Sequence, residues 1–178
     1  MGPGGIVIRS IFKWLILALL VWWTSLVFGF SSQPYSAQTI QPWMKSLISE
    51  QKLAKVVPSV TVHYHHATIV AKKEPYRYIE FLFRKSAHLF VYAMLGAIFC
   101  ALLSTLKQRG YRIMGIVFLY VLTISSLDEW NQARVTMRTS AIQDVIVDLV
   151  GGCIGITAVL LLMRTRLGRA INPSTFKS

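Results

Sequence analysis

The 178-residue chain is 54% hydrophobic and only 15% charged, too little charge to cover the surface of a soluble domain. This balance excludes an ordinary soluble protein and points to an integral membrane protein. A net charge of +12 without an interleaved aromatic and basic platform suits anionic lipid headgroups and gives no reason to expect a nucleic-acid partner.

The first predicted element is residues 11–30, "IFKWLILALLVWWTSLVFGF", preceded by Arg9 and containing Lys13, Trp14, Trp22 and Trp23. About 20 apolar residues cross the hydrocarbon layer, so this run is long enough to span. Positive charge before an apolar stretch also fits a signal peptide. The run is long for that, and "SSQPYSAQ" is a weak cleavage site, so a retained helix is expected.

Residues 31–80 contain no run long enough to span, and form a loop of about fifty residues. Within it, Trp43, Leu47 and Leu53 recur at roughly helical spacing with Lys45, Lys52 and Lys55 elsewhere, which predicts a short amphipathic helix on the membrane surface. "SVTVHYHHATIV" alternates apolar and polar residues and is rich in β-branched types, the pattern of a strand or hairpin arm. Its histidines, His63, His65 and His66, have no acid or cysteine beside them, so a solvated loop is expected there and no metal site or cofactor.

Three more spans follow at residues 81–103, 113–130 and 145–163. The expected fold is therefore all-α, a four-helix transmembrane bundle in one membrane domain. "GGCIG" in the last span supplies small residues that let a neighbouring helix approach closely. Cys100 and Cys153 each lie in an apolar run and read as buried hydrophobes. Four crossings put both termini on one side. The basic residues divide almost evenly between the two sides, but the termini and the short "KQRGYR" loop are dense in Lys and Arg and free of acids. Short basic loops stay cytoplasmic, so both termini are placed in the cytoplasm and the long loop outside.

This topology gathers the polar residues at the outer end. Arg84, Lys85, His88 and Tyr92 lie on the second span, with the last three on one face; Asp128, Glu129 and Gln132 close the third; Arg138 follows; Asp144 and Asp148, four apart, open the fourth. Ionisable groups in a span are costly and normally face the interior, paired with one another. Singly, each has a plain structural explanation, such as headgroup anchoring or a favourable helix dipole. Together they suggest a polar pocket in which Arg84, Lys85 and Arg138 offset the four acids.

The segments "RKSAHLFVYAMLGA" and "DEWNQ…R…QDVIVDLVGGCIG" resemble the VanZ-like family pattern, and "SSQP" after the first span is also similar. The resemblance falls on Lys85, His88, Tyr92, Asp128, Glu129, Gln132, Arg138 and Asp144. Met137 stands where the family often has Gly, and Asp148 where it often has Asn, which adds a negative charge. The resemblance implies a multi-pass protein of the bacterial plasma membrane, in a family named for low-level resistance to teicoplanin, a glycopeptide that targets cell-wall precursors. It supplies no mechanism.

The leading expectation is a non-enzymatic envelope protein whose outward pocket binds an anionic lipid or lipid-linked wall precursor, with Arg84, Lys85, His88 and Arg138 holding the anion. The first alternative is an intramembrane hydrolase or transferase acting on a lipid-linked phosphate. There His88 serves as base and Asp128 or Glu129 as acid or orienter. The second is a small proton-coupled transporter, disfavoured by the absence of a visible repeat.

Overall fold

A computed structural model describes residues 3–64, 67–106, 110–135 and 141–165, with residues 3–7 and 9 described by backbone alone. Four long apolar helices, α1 (Pro3–Ser31), α5 (Pro75–Ser104), α6 (Gly110–Gln132) and α7 (Ile142–Arg164), are each long enough to cross a membrane. Between α1 and α5 lie α2 (Tyr35–Gln38), α3 (Gln41–Leu47), α4 (Glu50–Val56) and an antiparallel hairpin of β1 (Thr61–Tyr64) and β2 (Ala67–Val70). The protein is thus a mostly helical membrane protein with a small helix-and-hairpin cap.

Each long helix extends past its apolar run. Helix α1 starts at Pro3 rather than at residue 11, and α5 starts at Pro75 rather than at residue 81. Proline suits the first helical turn because its fixed φ is helical and no N–H is needed there. The added turns are polar outside but bury Tyr76, Tyr78 and Glu80 against the cap. Hydropathy marks the lipid-crossing stretch; helix length is set by what the flanking residues pack on.

The expected amphipathic helix is two helices. Ile48 and Ser49 are extended, which breaks the chain between α3 and α4, and the Tyr76 hydroxyl donates to the freed Ile48 carbonyl at 2.7 Å. The break separates the residues that helical spacing would align. Met44 turns inward, Trp43 and Leu47 stay exposed, and Leu53 packs beside the cluster of Val57, Ile69, Ala71 and Tyr78. Hairpin pairing of Val62 with Ile69 and of His63 with Thr68 puts Ile69 into that cluster, while His63 stays exposed with Nδ1 3.1 Å from Thr68 Oγ1. His65 and His66 lie outside the described residues.

In the bundle, α5 and α7 form the most extensive helix pair. Glycine allows it. A Cβ added at Gly96 would lie 2.7 Å from the Gly152 carbonyl oxygen; one at Gly151 or Gly155 would collide with the Leu89 or Ala93 carbonyl of α5. Without hydrophobic driving force in lipid, such close backbone approach supplies dispersion contact that holds helices together. Helix α1 adds directional contacts: Trp23 Nε1 donates to the Val91 carbonyl at 2.9 Å, and Thr24 Oγ1 lies 2.9 Å from the Tyr120 hydroxyl. Tyr92, Leu95, Val117, Val121 and Ile156 fill the centre, whereas Trp14, Trp22, Phe90, Leu119 and Leu161 face outward as a lipid-facing surface must. Cys100 is buried as expected; Cys153 is not, because α7 turns that position outward while Gly151 and Gly155 face α5 and Gly152 faces Val121 of α6.

Candidate functional site

At the hairpin end of the bundle, α7 presents its two aspartates to α5. Asp144 and Asp148 are four apart and share a face; Lys85 and His88 on α5 are three apart and share another. The glycine contacts below them bring those faces into register. Lys85 Nζ meets Asp144 Oδ1, which also accepts the Tyr64 hydroxyl from β1. The Lys85 ammonium lies 4.1 Å from the Tyr64 ring centre. Burial first, then donation to Asp144, raises the Tyr64 phenol well above its ordinary pKa, so it stays a neutral donor.

One turn deeper, His88 Nδ1 is 3.1 Å from Asp148 Oδ1, and Ser125 Oγ donates to Asp148 Oδ2 at 2.6 Å. Asp148 is 0% exposed, so both its oxygens are satisfied by protein alone. The Tyr92 ring stacks on His88 with centroids 6.4 Å apart. A carboxylate at Nδ1 fixes the ring and its tautomer, the arrangement that prepares Nε2 to bind or move a proton.

Helix α6 contributes Asp128 and Glu129. Gln132 Nε2 donates to Asp128 Oδ2 at 3.0 Å, and Ser31 Oγ donates to the Asp128 carbonyl at 3.2 Å. Asp128 Oδ1 and the Tyr92 hydroxyl are buried without a hydrogen-bond partner among the described residues, although that hydroxyl lies beside Asp128 and Ser125. Glu129 Oε2 accepts the Ala141 N–H at 2.9 Å and so holds the entry to α7, where a carboxylate also complements the helix dipole. His88, Asp128 and Asp148 offer ligand atoms all within 4.8 Å of one another, the one such group among the described residues able to hold a metal ion.

Arg84 stands apart from these acids. It lies over the Tyr35 ring, 4.3 Å from guanidinium to ring centre, with Nε 3.8 Å from Glu80 Oε1. Glu80, 3% exposed, accepts the Tyr35 hydroxyl at 2.9 Å and an N–H of Gln41. The Tyr35 phenol is raised by burial and then by its bond to Glu80. Nε and Nη2 of Arg84 are buried and make no hydrogen bond among the described residues.

Lys85, His88, Tyr92, Asp128, Gln132, Asp144 and Asp148 thus gather at one end of the bundle, with Glu129 at the start of α7 beside them. Arg84 does not join them, because on α5 it points to the cap instead of to α7. Arg138 lies outside the described residues, as does Met137. Sequence reading overlooked four contributors. Ser125 sits three residues before Asp128 and so on a neighbouring part of the same face; Glu80 sits four before Arg84, a spacing that could have flagged the pair. Tyr64 and Tyr35 carried no local signal, since both reach their partners only through the folding of the cap.

A VanZ/LLP1 family model matches residues 14–163, most of the chain, and the chain therefore belongs to the VanZ/LLP1 family. Comparison with curated proteins and with solved structures found no match.

Proposed function

We propose, with VanZ/LLP1 membership as the premise, that this protein binds an anionic headgroup at the hairpin end of its bundle, on the outer face of the bacterial plasma membrane. The ligand is a phosphate-bearing lipid or lipid-linked wall precursor. The observation that carries the reading is Arg84. Its guanidinium is held over Tyr35, and Nε and Nη2 make no hydrogen bond among the described residues, Nε facing Glu80 Oε1 only at ion-pair distance, 3.8 Å. Donors left unmade inside a protein are expensive, and a phosphate oxygen is the acceptor that a guanidinium fork fits best. Glu80 steadies Arg84 by charge without taking its hydrogen bonds. Lys85 is committed to Asp144, so it orients the neighbouring helix rather than supplying a free cation.

The outward placement rests on the dense basic flanks and their preference for the cytoplasm. It predicts that a single cysteine at Lys52, in a background lacking Cys100 and Cys153, is labelled in intact cells by a membrane-impermeant maleimide. Labelling only after the cells are broken would place the cap inside and remove the outer leaflet from the proposal.

A headgroup receptor at the outer leaflet would act where glycopeptides meet wall precursors, the connection through which the family tie to teicoplanin extends to this chain. Expression in a susceptible host is expected to raise teicoplanin tolerance, and Arg84→Gln to abolish the gain at equal membrane abundance. Equal tolerance with and without the guanidinium would refute the role of Arg84.

A further inference from the structure

Two buried carboxylates, Asp128 and Asp148, face a single imidazole, that of His88. Hydrogen bonding accounts for three of the four carboxylate oxygens: His88 and Ser125 take those of Asp148, and Gln132 takes Oδ2 of Asp128. Oδ1 of Asp128 remains without a hydrogen bond among the described residues, 2% exposure leaves that residue out of reach of bulk water, and the Tyr92 hydroxyl beside it, on a residue 1% exposed, makes none there either. Lys85, the nearest lysine along α5, is paired with Asp144. Among the described residues, a buried acidic centre with an unsatisfied oxygen favours a bound cation.

We propose that His88, Asp128 and Asp148 bind a divalent transition-metal ion, one ligand from each of α5, α6 and α7. Imidazole plus carboxylate is a donor set that zinc accepts, with three protein ligands leaving a further position open. Ligands of tetrahedral zinc at about 2.1 Å stand about 3.4 Å apart, so the group, whose ligand atoms lie within 4.8 Å of one another, closes on the ion by a contraction of up to about 1.4 Å. Ser125 then becomes the outer-shell donor that orients Asp148, and Gln132 does the same for Asp128. The ion ties three helices together at the level where the glycine contacts of α5 and α7 begin. This site is independent of Arg84, which faces the cap.

The test uses full-length protein in a neutral detergent, stripped with a chelator and titrated with zinc alone. His63, His65 and His66 are first replaced by alanine to remove unrelated imidazoles. One zinc per chain and a saturable rise in unfolding temperature are expected, with affinity at least about tenfold weaker in Asp128→Asn. Zinc-edge X-ray absorption on the protein with an unaltered site should show one imidazole nitrogen with oxygen neighbours and no sulfur, a readout that stands even where Asp128→Asn fails to fold. No retained zinc, undiminished affinity in a folded Asp128→Asn variant, or an edge spectrum without imidazole would overturn the proposal.

Discussion

Replacing Gly155 by alanine is expected to destabilise the protein by more than any other single methyl group added to the bundle. The new Cβ meets the Ala93 carbonyl of α5, and backbone cannot swing aside as a side chain can. Overpacking costs typically about 1–3 kcal/mol in a core that yields a little, and this contact yields less than most. The helices must part, and the two ion pairs above the contact part with them. Gly115→Ala supplies the control, since nothing lies within 4 Å of its Cβ and alanine is the better helix former by up to about 1 kcal/mol. Thermal unfolding in detergent should separate the two variants widely. Equal melting temperatures would mean that α5 and α7 do not approach through Gly155.

Lys85→Met is the second large effect. It leaves the Asp144 carboxylate, 7% exposed, with the Tyr64 hydroxyl as its one remaining side-chain partner among the described residues. Breaking a buried pair from one side costs about 3–5 kcal/mol, because a charge is left without compensation, whereas exchanging both partners for apolar groups is close to neutral. The double variant Lys85→Met with Asp144→Leu should therefore recover most of the stability that Lys85→Met loses. If the losses instead add, Lys85 and Asp144 are not each other's main partner.

The four spans were legible because each needs an apolar run that nothing else in a chain of this size requires, and the hairpin was legible in the alternation around Thr61–Tyr64 and Ala67–Val70. The gathering of Lys85, His88, Asp128, Asp144 and Asp148 could be anticipated from i, i+3 and i, i+4 spacing combined with a common depth. Pairing within the group could not. That Lys85 takes Asp144 while His88 takes Asp148 depends on the vertical register of two helices, which Gly151 and Gly155 fix through contacts between residues far apart in the chain. The same limit hid Arg84's true neighbours. Adjacent residues on a helix point about 100° apart, so Arg84 and Lys85, read together as one basic pair, serve different structures: Arg84 the cap and Lys85 the bundle. The split between α3 and α4 was invisible because Ile48 and Ser49 carry no glycine or proline; a tertiary bond from Tyr76 stabilises the break.

The reading of this protein as a headgroup receptor is tested most directly by native mass spectrometry of the purified chain titrated with phosphatidylglycerol, in parallel with Arg84→Gln. Charge-assisted hydrogen bonds contribute about 1.5–3 kcal/mol, so the wild-type chain should hold the lipid at least about tenfold more tightly than the variant. Phosphatidylglycerol bound with the same affinity by both proteins would contradict it.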